Sequence, residues 1–102
     1  MSMTSKQRAF LRSLAMTEDT ILHIGTGGIT PELTQNVSEA LAARELVKIG
    51  ILQNCTEEPR ELAMTLAERT KSQVVEIIGK KIVLYKEGMG DDRKIILPKN
   101  KA

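Results

Sequence analysis

Residues 20–33 read TILHIGTGGITPEL, and this stretch decides the architecture. Thr20–Ile24 is short and rich in branched side chains, the composition of a buried strand. Gly25-Thr26-Gly27-Gly28 then breaks the apolar run, and Thr30-Pro31 opens a helix. A threonine hydroxyl accepts from a free amide at a helix start, and proline suits the first helical position because it has no amide to satisfy. Strand, glycine turn and helix in direct succession predict an α/β unit.

The flanks extend this pattern. Upstream, Thr4-Ser5-Lys6-Gln7 reads as a capping box, so a first helix is predicted over roughly 5–16, with Phe10, Leu11 and Leu14 at helical spacing. Lys6, Arg8 and Arg12 fall mostly off that apolar stripe. Downstream, Leu33, Val37, Ala40 and Leu41 mark one face of a helix over roughly 31–44, and Val47, Ile49 and Ile51 alternate through a strand at 46–52. A turn-like stretch at 54–59 precedes a third helix carrying Leu62, Ala63, Leu66 and Ala67. Gln73–Ile78 and Ile82–Tyr85 flank Gly79-Lys80-Lys81 and should pair as an antiparallel hairpin. The fold predicted is α/β: one compact domain over 1–102, ordered α-β-α-β-α-β-β, with helices packed on a small mixed four-stranded sheet. Residues 88–102 are expected to form a flexible loop and C-terminal tail, with 95–97 a candidate short edge strand.

Composition narrows the function. Hydrophobic residues at 41% and charged residues at 27% fit a folded globular chain and neither a disordered tail nor a membrane protein. No apolar run approaches the ~20 residues needed to span a bilayer, and MSMTSKQRAF lacks the apolar stretch of a secretory signal, so a cytoplasmic location is expected. Cys55 is the only cysteine and His23 the only histidine, which leaves no internal disulfide and almost no ligands for zinc.

Catalysis finds no foothold. The dinucleotide pattern Gly-x-Gly-x-x-Gly fails because Thr30 stands at its third glycine, and no Gly-Lys-Ser/Thr run offers a P-loop. His23 lies within an apolar strand, where a core or rim histidine is expected, and Glu18-Asp19, Glu57-Glu58 and Asp91-Asp92 near turns read as solvated acids or as charge complementing a helix start. Neither an enzyme nor a cofactor is predicted, and no catalytic or metal-binding residue is assigned.

The net charge of +2 conceals an uneven distribution. Residues 1–16 carry three bases and no acid, residues 17–70 carry nine acids against four bases, and residues 71–102 carry eight bases against four acids. Such asymmetry can build a one-sided positive surface for phosphate. Glycines 25, 27 and 28 permit close approach of backbone to a ligand, and the helix beginning near Pro31 should offer free amides and a positive dipole end. A Gly-x-x-Gly loop clamping backbone nucleotides is the device of KH domains, so the chemistry fits single-stranded or irregular RNA, while glycines in a strand-to-helix turn also serve purely geometric ends.

Four segments in order carry a family resemblance: TSKQRAFLRSLA at 4–15, HIGTGGIT at 23–30, ELVKI at 45–49 and VVEIIGKKIVLYK at 74–86. Together they resemble the CRM domain, named for chloroplast RNA splicing and ribosome maturation, in its small stand-alone bacterial YhbY-type form. The resemblance spans nearly the whole chain. It implies a compact α/β domain similar to the C-terminal domain of translation initiation factor three, with a Gly-x-x-Gly loop after the first strand. It also implies an RNA-binding role with precursors of the large ribosomal subunit, whose ribosomal RNA would be the partner.

Gly25 through Gly28 occupy the family's loop. One departure is Thr26, where the family often has lysine, so a cation near the phosphate is missing. Phe10 and Tyr85 are the only aromatics and sit in predicted core elements, which disfavours rows of stacked bases. If the strand-helix-strand units cross over in the usual right-handed, parallel way, the hairpin turn brings Lys80 and Lys81 to the loop's end of the sheet. A first helix running antiparallel to strand one would add Lys6 and Arg8, with Arg12 intermediate and Arg44, Arg69 and Lys71 at the far end. The expected RNA-binding residues are therefore Gly25, Thr26, Gly27, Gly28, Lys6, Arg8, Arg12, Lys80 and Lys81, in a monomer with no membrane contact. Gly27→Asp or Gly28→Asp should weaken RNA binding and leave the fold largely intact. A competing reading is a protein-interaction module that docks on a ribosomal protein or assembly partner without gripping RNA; steep loss of affinity with salt would favour RNA.

Overall fold

The structure, a computed structural model, describes residues 3–87; the predicted loop and tail at 88–102, with its candidate strand, lie outside them. Seven elements follow the expected order: α1 Ser5–Ala15, β1 Thr20–Ile24, α2 Pro31–Arg44, β2 Leu46–Ile51, α3 Pro59–Thr70, β3 Gln73–Ile78 and β4 Lys81–Tyr85. Local chemistry sets most of their ends. The Thr4 side chain accepts from the Gln7 amide while the Gln7 side chain accepts from the Thr4 amide, both at 3.1 Å, so the expected capping box starts α1. Thr30 accepts from the Leu33 amide at 3.0 Å and Pro31 fills the first turn of α2. At the far end of α2, Glu45 takes a φ of 67° and turns the chain directly into β2.

The four strands form one sheet in the order β1-β2-β4-β3. β2 runs parallel to β1 and antiparallel to β4, which in turn is antiparallel to β3. The carboxyl ends of β1, β2 and β3 consequently share one end of the sheet. The alternation in β2 explains its layering. Val47, Ile49 and Ile51 point to a core shared with Val37 and Leu41 of α2 and Leu62 and Leu66 of α3. Leu46 points the other way, into a second core with Leu11 and Ala15 of α1 and Val75, Val83 and Tyr85. Burying each such leucine or isoleucine contributes about 1.5–3 kcal/mol, so two helices hold one face and a single helix holds the other.

One helix cannot cover a four-stranded face. α1 packs against β2, β3 and β4, leaving the β1 side of that face open. Its orientation departs from the expectation that its amino end lies beside the glycine loop. The Arg8 guanidinium donates to the carbonyls of Val74 and Val75 at 2.7 and 3.1 Å, pinning the amino-terminal half of α1 over the start of β3. The Lys48 ammonium donates to the Ala15 carbonyl at 3.2 Å, holding the carboxyl-terminal turn over the middle of β2. An ammonium suits this place, since the carboxyl end of a helix carries partial negative charge.

Arg8 is thus a clasp between α1 and an edge strand. Arg8→Ala is expected to lower stability by about 1–3 kcal/mol in urea denaturation, because two carbonyls lose a charged donor. Arg12→Ala, one turn along and exposed, is expected to shift stability by less than about 0.5 kcal/mol. Equal midpoints for Arg8→Ala and the parent would show that the clasp does not hold the strand.

Candidate nucleic-acid interface

The loop between β1 and α2 is a tight turn. The Gly28 amide donates to the Gly25 carbonyl at 3.0 Å, which leaves Thr26 and Gly27 at the exposed tip. Their two amides make no hydrogen bond among the described residues. The glycines are not equivalent. Gly28 has a φ of +65°, a left-handed conformation that L side chains rarely adopt, and a Cβ there would run into the Glu57 carboxylate. A Cβ on Gly27 would meet only the Thr30 methyl, at 3.7 Å. The expectation that Gly27→Asp and Gly28→Asp would both spare the fold therefore stands corrected for Gly28, where backbone strain and a facing carboxylate coincide. The amides expected at the start of α2 are also fewer: Thr30 caps Leu33, and Pro31 has none.

Two surfaces leave the loop, and acids border both. On the α3 side, Glu57 and Glu61 line a trough with Gly27, Thr65 and Arg69. Arg69 was expected at the far end of the molecule, yet it lines this trough because residues 61, 65 and 69 share one face of α3. On the β1 side, a cleft formed by Gly25, Gly27, Gly28 and Thr30 reaches His23, with Glu32 and Asn36 on its α2 wall. His23 is exposed at the rim, in line with the sequence reading.

Beyond His23 the open face of the sheet continues. Gly50 pairs with His23 on one side and Lys81 on the other. A Cβ on Gly50 would sit 2.9 Å from the His23 ring and 3.1 Å from the Thr20 methyl, so the missing side chain lets both lie across β2. Lys81 uses the same gap, its ammonium reaching the Thr20 hydroxyl at 3.2 Å. Lys80 lies in the hairpin turn, where its carbonyl accepts from the Ile51 amide at 2.7 Å, while the Leu52 amide donates to the Ile24 carbonyl at 2.9 Å. Both lysines of the turn therefore belong to the loop's end of the sheet by backbone, although the Lys81 side chain leans back along the open face.

The remaining basic residues separate differently from the expectation. Arg8 is a strand length from the hairpin turn and is engaged with β3, and Lys6 lies still closer to the amino end of α1, so neither joins the loop cluster. The physical reason is the crossing of α1 with its carboxyl end, not its amino end, toward the open face. Arg12 lines a groove with Lys81 and with Lys48, which the sequence reading passed over. Its signal was present: the alternation that buries Val47, Ile49 and Ile51 on one face puts Lys48 on the other.

Known proteins match this chain over nearly its whole length. The family model for the CRS1/YhbY (CRM) domain matches residues 3–86. The "Probable RNA-binding protein YqeI" of Bacillus subtilis is 43% identical over 96 residues, covering 94% of this chain and 99% of that protein. An "RNA-binding protein" of Haemophilus influenzae is 28% identical over 98 residues, covering 96% of this chain and 97% of that one. The solution structure of hypothetical protein SAV1595 from Staphylococcus aureus superposes with a TM-score of 0.80 at 42% identity, over 95% of this chain and 100% of the other. By the span of that match and the completeness of these alignments, the chain belongs to the CRS1/YhbY (CRM) domain family.

Proposed function

We propose that this protein binds RNA by its backbone at the Gly25–Gly28 turn, without turning it over, and serves as an assembly factor on ribosomal RNA of large-subunit precursors. The observation that carries the binding mode is the exposed tip, where the amides of Thr26 and Gly27 have no partner among the described residues and lie a few residues ahead of the start of α2. Unpaired amides ahead of a helix's positive end suit a phosphate. The names of the relatives from Bacillus subtilis and Haemophilus influenzae support RNA as the partner. The ribosomal setting rests on the resemblance to stand-alone family members, and crosslinking in cells followed by sequencing of the bound RNA tests it: enrichment of large-subunit precursor RNA is the result expected.

The acids at the loop give the bound strand a direction. Glu57 against Gly28 and Glu61 beside it repel phosphate on the α3 side, and Glu32 does so from the α2 wall of the other cleft, so the path left to a strand runs away from both walls, over His23 and the open sheet face. Thr26 contributes a hydroxyl where a lysine would add a charge, so affinity leans on amides and on cations farther along this path.

Two substitutions test the turn. Gly27→Asp is expected to keep the fold and weaken RNA binding roughly five- to tenfold, a carboxylate at the tip opposing phosphate by about 1–1.4 kcal/mol. Gly28→Ala behaves differently and loses about 1–2 kcal/mol of stability, part of which Glu57→Ala restores by removing the facing carboxylate. Unaltered RNA affinity in folded Gly27→Asp would exclude the tip as a contact.

A lysine at the tip gives the opposite result. Thr26→Lys is expected to tighten binding and to steepen the dependence of log affinity on log salt by roughly one unit, as one further phosphate is neutralised. No change in either quantity would show that the Thr26 side chain points away from the strand.

A further inference from the structure

The open sheet face ends in a groove of about 200 Å³ between the carboxyl-terminal turn of α1 and strands β2, β3 and β4. Its floor is apolar: Ala15 and Val83 are buried there, while Met16 and Ile78 stay 81% and 60% exposed. Large apolar side chains left in water side by side are unusual unless something covers them. Three cations, Arg12, Lys48 and Lys81, and one carboxylate, Glu76, complete the lining.

We propose that this groove takes one unstacked nucleobase of the RNA strand held at the glycine turn, and that Glu76 selects bases bearing an exocyclic amine. The inference rests on the RNA-binding reading above. The size fits a single flat ring system, since pockets for larger ligands usually span roughly 300–1,000 Å³. The charge pattern selects the occupant. An apolar floor inside a cationic rim suits a molecule with a flat apolar body and an anionic edge, which describes a nucleotide; an apolar helix of another protein would leave three cations desolvated without counter-charge.

Each side chain has capacity for this role. Lys48 and Lys81 each give one hydrogen bond to the protein, to the Ala15 carbonyl and the Thr20 hydroxyl, and an ammonium has three to give. Arg12 is exposed and its side chain makes no hydrogen bond or ion pair among the described residues, so its planar guanidinium is available to stack on a base. This supplies what the buried Tyr85 and half-buried Phe10 cannot. Glu76 is half-buried, faces Val83 across the sheet and can only accept, as a carboxylate does from the amino group of cytosine. Uracil has no amine to offer it.

The groove also lies on the route that charge leaves open. His23 lines the cleft at the turn and covers Gly50, and Gly50 pairs with Lys81, so turn and groove are separated by two strand spacings of about 4.8 Å each. A KH-type loop clamps about four nucleotides, so both sites can be occupied by one short segment.

The test compares the parent with Met16→Ser/Ile78→Ser, Glu76→Gln and Gly27→Asp, using fluorescence anisotropy with short oligo(rC), oligo(rU) and an oligomer of abasic sites. The parent is expected to bind oligo(rC) roughly tenfold tighter than oligo(rU). Met16→Ser/Ile78→Ser changes only exposed side chains and no charge; it should weaken oligo(rC) five- to tenfold and leave the abasic oligomer unchanged. Glu76→Gln should erase most of the preference for oligo(rC). Gly27→Asp should weaken all three probes alike. If Gly27→Asp weakens every probe while the double serine variant binds oligo(rC) like the parent, the groove is not a base site although the turn still binds RNA. If Gly27→Asp changes nothing, the reading of the turn fails, and the groove proposal falls with it.

Discussion

Two consecutive amides organise the end of the molecule that carries the glycine turn. At the end of β2, Ile51 donates to the Lys80 carbonyl on one side and Leu52 donates to the Ile24 carbonyl on the other. Adjacent residues of an extended chain point their amides in opposite directions, so a single central strand can tie a parallel neighbour and an antiparallel neighbour at the same level. Gly25 and Gly79 are the next residues along those neighbours, which fixes the glycine turn and the hairpin turn to one edge. Without this double tie the loop would be a local motif with no surface leading from it.

The second determinant is the unequal covering of the sheet. α2 and α3 fill one face, and α1 alone covers part of the other, because Leu11 and Ala15 find their core over Leu46, Val75, Val83 and Tyr85. β1 stands at the edge beyond its reach. What remains on that face is a strip whose polar residues, Thr20, His23, Lys48 and Lys81, lie on three adjacent strands around a glycine. Gly50 contributes by its absence of side chain: the His23 ring and the Thr20 methyl would both be pushed off β2 by a Cβ there.

Much of this was legible in the chain. Hydrophobic period, the Thr4–Gln7 box, Thr30-Pro31 and the glycines of the two turns are local signals, and they placed the elements to within a residue or so. The orientation of α1 was not legible. A short connection into β1 suggests an antiparallel pair, but whether a helix lies along a strand or crosses a sheet depends on which distant side chains its stripe meets and on the Arg8 clasp to Val74 and Val75. That one misreading moved Lys6 and Arg8 toward the loop and hid the company that Arg12 keeps. The place of Glu57 is no more legible, since it reaches Gly28 across a long sequence gap and has no local signal beyond an acid before a helix.

The charge pattern gains meaning from this geometry. The chain is nearly neutral, yet acids border the turn, Glu57 and Glu61 on the α3 side and Glu32 on the α2 wall, while Arg12, Lys48 and Lys81 line the groove on the open face. Backbone contacts alone position a strand without reading it. On the proposed reading, a turn that lacks a lysine at Thr26 and is flanked by Glu57 would hold phosphate less firmly than a cationic loop, and the hold on RNA would depend more on what the strand meets next. That next surface contains the half-buried Glu76, a carboxylate that attracts phosphate from nowhere and is therefore a cost to any purely electrostatic grip. Among Arg12, Lys48 and Lys81 it offsets part of their positive charge, and an acceptor that repels the backbone can still reward a base that donates to it.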